Sequence, residues 1–305
     1  MNRNRTLVYV ILSLCFAAFF LTGCAISDTV SESSTRRTVT EFLIPEASGE
    51  ILYGNELASI DASNLSEGYL MICYHGEATK AKIRITTPSG TVYTYTMSGK
   101  DFETFPLSGG NGTYHIDIYE NAWDDMYGLV YSTDIDAEID DEFKPFLYPN
   151  QYSRYTRDSH VTALGTELSD ASTGDLDYVK NVYEYIIQNV SYDTLLAESL
   201  PTDYVPDVDR TLLSGKGICF DYAALMTALL RSQGIPTRLE VGYSGTAYHA
   251  WISVYLEEEG WIHQIILFDG KTWSLMDPTY AANNNSKVTT DYIGDGTNYL
   301  VKYSY

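Results

Sequence analysis

The chain has 305 residues and a mass of 34.2 kDa, room for about two domains, and its 45% hydrophobic and 20% charged content excludes a wholly disordered, collagen-like or fibrous protein. Nineteen basic residues against 41 acidic ones give a formal charge of −22, a field that repels phosphate backbones and argues against nucleic acid as a partner. Tyrosine is abundant at 27 residues, but without interleaved basic residues it reads as sandwich and surface packing rather than as a base-stacking platform.

Residues 1–24 combine a basic start (Arg3, Arg5), an apolar run from Leu7 to Leu21 and the ending Leu21-Thr22-Gly23-Cys24. The run is short for a membrane span and ends in small residues before a cysteine, the pattern of an export signal. That ending resembles the lipobox of bacterial lipoproteins, which implies cleavage before Cys24 and lipidation of its thiol, with residues 1–23 as signal peptide; the alternative is an uncleaved anchor helix. Both readings put the body outside the cytoplasmic membrane. Cys15 then leaves with the signal, and only Cys73 and Cys219 remain in the exported body. Two cysteines are too few for a disulfide framework or a four-thiolate zinc site; one bridge or two free thiols are both open. Cys73, inside the apolar stretch Tyr69 to Tyr74, reads as a small buried hydrophobe.

Residues 24–40 are rich in Ser and Thr without apolar periodicity, as expected of a tether. From 41 to 139 the signals are strands punctuated by turns: Tyr69 to Tyr74, Lys82 to Thr87, Val92 to Met97, Tyr114 to Tyr119 and Leu129 to Ile135, separated by Pro88-Ser89-Gly90 and Gly109-Gly110-Asn111-Gly112. This predicts a small β-sandwich of Ig-like type, in which His75 and His115 are structural. The acidic stretch Asp136 to Glu142, followed by Pro145 and Pro149, marks a boundary to a region of helical period over 140–305. Val161, Leu164 and Leu168 fall on one helix; Val179, Val182, Tyr183, Ile186 and Val190 fall on a second, with Asp175 as its expected N-cap. A third is predicted from about Ile218 to Gln233, stopped by Gly234 and Pro236. Strands follow at Arg238 to Tyr243, His249 to Leu256, His263 to Phe268 and Lys271 to Met276, the last two flanking Asp269-Gly270, a type I′ turn signal. The tail from Tyr299 to Tyr303 is a candidate last strand.

Cys219 falls at the start of the third helix, where the positive end of the helix dipole favours a thiolate. Considered alone, a cysteine on an amphipathic helix reads as structural. Its company changes the reading. His249 opens a strand whose period puts it with Trp251 on one face, expected to be free, and Ala250, Ile252 and Val254 on the core face. Asp277 ends a later strand at the turn Asp277-Pro278-Thr279. Cysteine, histidine and aspartate in that order form a set of nucleophile, base and orienting carboxylate, whereas His160 and His263 stand alone and read as structural.

The runs Gly217-Ile218-Cys219-Phe220-Asp221-Tyr222-Ala223, Gly234-Ile235-Pro236-Thr237-Arg238, Gly242-Tyr243, His249-Ala250-Trp251 and Asp277-Pro278-Thr279 together resemble the core domain of the transglutaminase-like superfamily. The resemblance covers residues 175–280 and implies a papain-like α+β fold, with helices packed on an antiparallel sheet. It implies Cys219, His249 and Asp277 as catalytic residues and neither metal nor organic cofactor. Eukaryotic cross-linking members carry Gln-Cys-Trp around the nucleophile, and Ile218-Cys219-Phe220 departs from that pattern. The sequence thus predicts an exported, lipid-anchored thiol enzyme acting on amide bonds of a peptide or protein substrate at the cell envelope, as a hydrolase. The rival readings are a protein-glutamine transamidase and a catalytically silent surface-binding module. The backbone N–H of Cys219 is the expected first oxyanion donor; Tyr192 and Gln188 are both open as the second.

Overall fold

The computed structural model describes residues 42–97, 99–263, 266–268, 273–275 and 299–305. Cys15, Cys24, the tether and Asp277 lie outside the described residues. Among those that are described, no helix is long and apolar enough to cross a membrane.

Among the described residues, the N-terminal part carries eight strands: β1 (Leu52–Gly54), β2 (Ala58–Asp61), β3 (Tyr69–Tyr74), β4 (Ala81–Thr86), β5 (Val92–Met97), β6 (Glu103–Pro106), β7 (Gly112–Trp123) and β8 (Met126–Ala137). They form two antiparallel four-stranded sheets, in the orders β1-β2-β3-β6 and β5-β4-β7-β8. The expected alternation holds in β4, where Ile83 and Ile85 are buried and Arg84 is exposed, and in β7, where Tyr114, Ile116 and Ile118 are buried around an exposed His115. Leu70, Ile72 and Phe105 from the first sheet join these residues in one core. The strands β1, β2 and β6 are not legible in the sequence: they have three or four residues each, too short for a period to register.

The acidic stretch that follows is largely exposed, but residues 145–155 after it are mostly buried, and Phe146, Tyr148, Tyr152 and Tyr155 pack inward. Five helices come next: α1 (His160–Asp170), α2 (Asp175–Asn189), α3 (Thr194–Glu198), α4 (Val208–Ser214) and α5 (Cys219–Arg231). In α2 the N-cap is Gly174, in extended backbone, and Asp175 is the first helical residue rather than the cap. The acid still favours the dipole from that position. Asp177 folds back to accept the Thr173 N–H at 2.9 Å. The start of α1 is capped from a distance, since Asp209 of α4 accepts the N–H groups of His160 and Val161 at 3.1 and 2.8 Å. Two short helices, α3 and α4, escape a periodicity reading, although their caps Asp193 and Asp207 are in plain view and accept from Leu196 and Arg210.

A third sheet carries β11 (Thr237–Ser244), β12 (Ala247–Leu256), β13 (Gly260–His263) and β16 (Tyr299–Ser304) in the antiparallel order β13-β12-β11-β16. The strands β14 (Ile266–Phe268) and β15 (Trp273–Leu275) pair antiparallel with Phe268 opposite Trp273. Four residues therefore separate the paired ends, where a two-residue Asp269-Gly270 turn would pair Phe268 with Lys271; the turn itself lies outside the described residues. A two-residue parallel bridge joins β9 (Ser191–Tyr192) to β10 (Lys216–Gly217).

Helix α5 is buried from Asp221 through Arg231, between the other helices and the third sheet. Arg231, the last residue of this helix, is itself buried. The guanidinium donates to the carbonyls of Thr237 (2.9 and 2.6 Å), Tyr148 (2.8 Å) and Tyr305 (2.6 Å), tying three separate segments to the end of one helix. Burial pulls its pKa down to about 10, which leaves it charged at neutral pH. Arg231→Met would take the guanidinium donor from the Thr237 and Tyr148 carbonyls, while the Tyr305 oxygen keeps the Leu239 N–H at 3.0 Å, and should destabilise the chain by about 3 kcal/mol, with Arg231→Lys failing to rescue because an ammonium cannot reproduce the fork. Urea titration of the variants against the parent chain measures both.

On the outer face of β7, His115 lies between two carboxylates, Asp134 at 2.6 Å from Nδ1 and Asp117 at 3.1 Å from Nε2. The bond to Asp134 raises the imidazole pKa above its ordinary value, with the charge of Asp117 adding to it. Because the folded pKa is the raised one, this contribution is fully present below the unfolded value of about 6.5 and is lost as pH rises through the folded pKa. The melting temperature of the parent chain should exceed that of His115→Gln by more at pH 5.5 than at pH 9.

Candidate active site

Cys219 is the first residue of α5, and the residues before it are shaped to start that helix. Ile218 takes the N-cap in extended backbone, with no capping oxygen of its own. Asp221, three residues on, supplies the return half of a capping box, its Oδ2 accepting the Ile218 N–H at 2.9 Å. Its other oxygen accepts the Tyr204 hydroxyl at 2.6 Å, and Arg210 donates to that same hydroxyl at 2.7 Å. Burial raises the Asp221 pKa against the pull of these bonds. Gly217 has to be glycine here, since a Cβ would meet the Asp221 side chain at 2.6 Å. None of the chain Arg210, Tyr204, Asp221 and the Ile218 amide is foreseen by the sequence reading, in which Asp221 figured only as part of a motif.

Cys219 is partly exposed and Cys73 is buried, and both thiols are free, so the possible bridge between them does not form. Cys73 instead donates to the Lys100 carbonyl at 2.9 Å, and burial raises its pKa.

The path of the chain returns to the Cys219 end of the helix. Thirteen residues of α5 rise about 20 Å, and after a five-residue connection the eight residues of β11 run back about 26 Å. The β11–β12 hairpin and the start of β12 therefore come to the end of the sheet level with Cys219. His249 stands there, opposite Gly242. The Tyr248 side chain, immediately before it, is exposed, and the pKa of its phenol is raised, first by desolvation and then by Tyr303, Tyr243 and Cys219. On the other side Tyr192 pairs with Gly217, and its phenol is raised by burial and by Cys219. Gln188, the other expected donor, is exposed on α2.

The face of β12 that holds His249 differs from the sequence expectation. It is not free: His249, Trp251 and Ser253 are all buried, as are Ala250, Ile252 and Val254 on the opposite face. A second sheet edge and a buried acid close it. Tyr299 of β16 meets the Trp251 ring edge-on at 5.0 Å, and Glu240 of β11 accepts both the Trp251 indole N–H at 2.7 Å and the Ser253 hydroxyl at 2.8 Å. Ser253 also bonds His263 Nδ1 at 3.2 Å. Burial raises the Glu240 pKa, opposed by Ser253, His263, Trp251 and Arg238. The sequence shows the alternation that puts Arg238 and Glu240 on one face, but not the cross-strand register that sets Glu240 against Trp251. Gly242 is required because a Cβ would fall on the Leu300 carbonyl oxygen of β16.

The model of the transglutaminase-like superfamily matches residues 162–264. A 122-residue stretch is 30% identical to YebA of Bacillus subtilis, an uncharacterized protein, and covers 33% of this chain but only 16% of that one. Among solved structures, a candidate cysteine protease from Cytophaga hutchinsonii shares 14% identity over 76% of this chain and 80% of its own, with a TM-score of 0.34. Red sea bream transglutaminase shares 12% identity over 69% of this chain and 48% of its own, with a TM-score of 0.29. A mixed α/β chain with antiparallel sheets, a buried helix led by a cysteine and a family match across that helix and its sheet identify residues 162–264 as a transglutaminase-like superfamily domain.

Proposed function

We propose that this chain is a thiol enzyme that hydrolyses amide bonds of peptides or proteins outside the cytoplasmic membrane, through Cys219, His249 and Asp277. The observation that carries the reading is the placement of Cys219 as the first residue of a buried helix, at the end of the sheet where His249 stands. The first-turn N–H groups of a helix have no partner within it, so the amide of Cys219 is suited to receive an oxyanion.

In this reaction the Cys219 sulfur attacks the amide carbonyl carbon while His249 takes the thiol proton. The tetrahedral oxyanion collapses, the C–N bond breaks, and His249 returns the proton to the departing amine, leaving a thioester. Water then adds to the thioester, giving its proton to His249, and the carboxylic acid and the thiol are released. Asp277 holds the imidazole tautomer. Tyr192, the register partner of Gly217 and partly buried, is favoured over the exposed Gln188 as the second oxyanion donor. Hydrolysis is favoured over transamidation by water at about 55 M and by the absence of Gln-Cys-Trp around the nucleophile. The two antiparallel N-terminal sheets are read as an Ig-like sandwich carrying the catalytic part, and the basic start, apolar run and Cys24 as a lipoprotein signal with a lipid anchor.

Iodoacetamide should label Cys219 in the purified chain, mapped by peptide mass, and His249→Ala should slow that labelling by about 10²-fold or more. Asp277→Asn should retain single labelling but lose turnover of fluorogenic peptide amides, because turnover requires a proton delivered to the leaving group. Equal labelling of parent and His249→Ala overturns the catalytic reading. For the anchor, radiolabelled palmitate fed to expressing bacterial cells should enter the chain and be absent from Cys24→Ala; label retained in that variant overturns it.

A further inference from the structure

Glu240 is a carboxylate with 3% exposure on a strand whose neighbours could be satisfied without a charge. An indole N–H and a serine hydroxyl need only an acceptor, and an amide or a carbonyl oxygen supplies one without the desolvation cost of an ion. Its placement shows what the carboxylate does locally. Glu240 is the register partner of Trp251, and Gly242, two residues on, is the register partner of His249. From there Oε2 holds Trp251 Nε1 at 2.7 Å and Ser253 Oγ at 2.8 Å, so one oxygen fixes two successive side chains on the face that also presents His249. The Trp251 and His249 rings lie 6.1 Å apart and 25° from parallel, within the range of offset-stacked rings. Tyr299 closes the far side, 5.0 Å from Trp251 and 6.4 Å from His249. Across the strand, Gly242 offers no side chain to brace the imidazole. The indole, near-parallel to the imidazole, is a wall against which that ring is set.

We infer that Glu240 is a positioning residue for His249: its carboxylate fixes the Trp251 indole, and the indole fixes the plane of the imidazole. The inference rests on the proposed catalytic role of His249. Among the described residues, the charged and titratable groups acting on the carboxylate are Arg238 on its own strand and His263 on β13, and burial pushes the carboxyl pKa up. What the indole needs is the acceptor oxygen, and Glu240→Gln preserves it.

The test uses the purified full chain, iodoacetamide as probe of Cys219, and the imidazole C–H resonances of His249, assigned by their loss in His249→Ala. Glu240→Ala should move the His249 resonances and slow Cys219 alkylation by about 10- to 100-fold, the cost of a base displaced by part of an ångström. Glu240→Gln should keep both close to the parent, a rescue that a general loss of stability would not give. Where Glu240→Ala does not fold, Trp251→Phe retains a ring without the N–H and should move the same resonances. A folded Glu240→Ala with unmoved His249 resonances and the parent's alkylation rate overturns the inference, as does Glu240→Gln falling as far as Glu240→Ala. If His249→Ala leaves Cys219 alkylation unchanged, the catalytic reading is overturned instead, and the resonances still decide whether Glu240 fixes the ring.

Discussion

Helix α5 is buried along nearly its whole length, and that burial is the constraint on which the rest of the molecule turns. A helix end carries N–H or C=O groups that no intrahelical bond can answer, and in a dry interior water is not available to answer them. Side chains answer one group at each end and leave the first-turn amides open. At the start, Asp221 accepts the Ile218 N–H. At the end, Tyr178 and Ser232 both donate to the Leu229 carbonyl, at 2.7 and 2.8 Å, and Arg231 reaches out to three other segments. The position of Cys219 is thus fixed by a helix that cannot shift without breaking bonds at both ends.

The same logic explains the use of tyrosine. Tyr74, Tyr114, Tyr178, Tyr183 and Tyr222 are fully buried, and Tyr114, Tyr178 and Tyr222 spend their hydroxyls on backbone carbonyls. A tyrosine supplies apolar area and a donor at a fixed distance from its backbone, which suits it to stitching a carbonyl of one element to the body of another. Tyr222 does this between α5 and Val190 at the end of α2, and Tyr93, Tyr95, Tyr152 and Tyr305 form a ring cluster that joins β5 to the third sheet. The abundance of tyrosine, read from composition as sandwich and surface packing, is thus also a feature of the core around the helices.

What the sequence made legible follows from what a one-dimensional pattern can carry. The helix of Cys219, the strand of His249 and the alternation of β4 and β7 rest on local period; the first three stand within one or two residues of expectation, and β7 runs four residues past the expected end at Tyr119. The short elements β1, β2, β6, α3 and α4 do not repeat often enough to show a period. The face of β12 was misread for a different reason. Alternation separates its two faces correctly but cannot say what covers each, and the cover here comes from Glu240 and Tyr299, each fixed by strand register rather than by spacing along the chain. Asp221 shows the same limit. Its place in the motif was visible, but its partners Tyr204 and Arg210 lie in a loop and a short helix with no signal tying them to it.

The charge of the chain bears on the proposed chemistry less than its size suggests. A formal charge of −22 disfavours an anion anywhere on the protein, yet exposed charges more than about 10 Å away are screened at ordinary salt. A carboxylate within the first turn of α5 is a different matter, because it is buried and cannot be screened. Asp221 is that group, and it is not left bare: one oxygen is bound to the Ile218 amide, and the other to a hydroxyl that also takes a bond from Arg210. The guanidinium thus stands behind the carboxylate through Tyr204, and its charge lowers the Asp221 pKa against the effect of burial. In this arrangement the acid that starts the helix is held by a hydroxyl and backed by a cation. The positive end of the helix is thereby left to act on the residue that follows Ile218, which is Cys219.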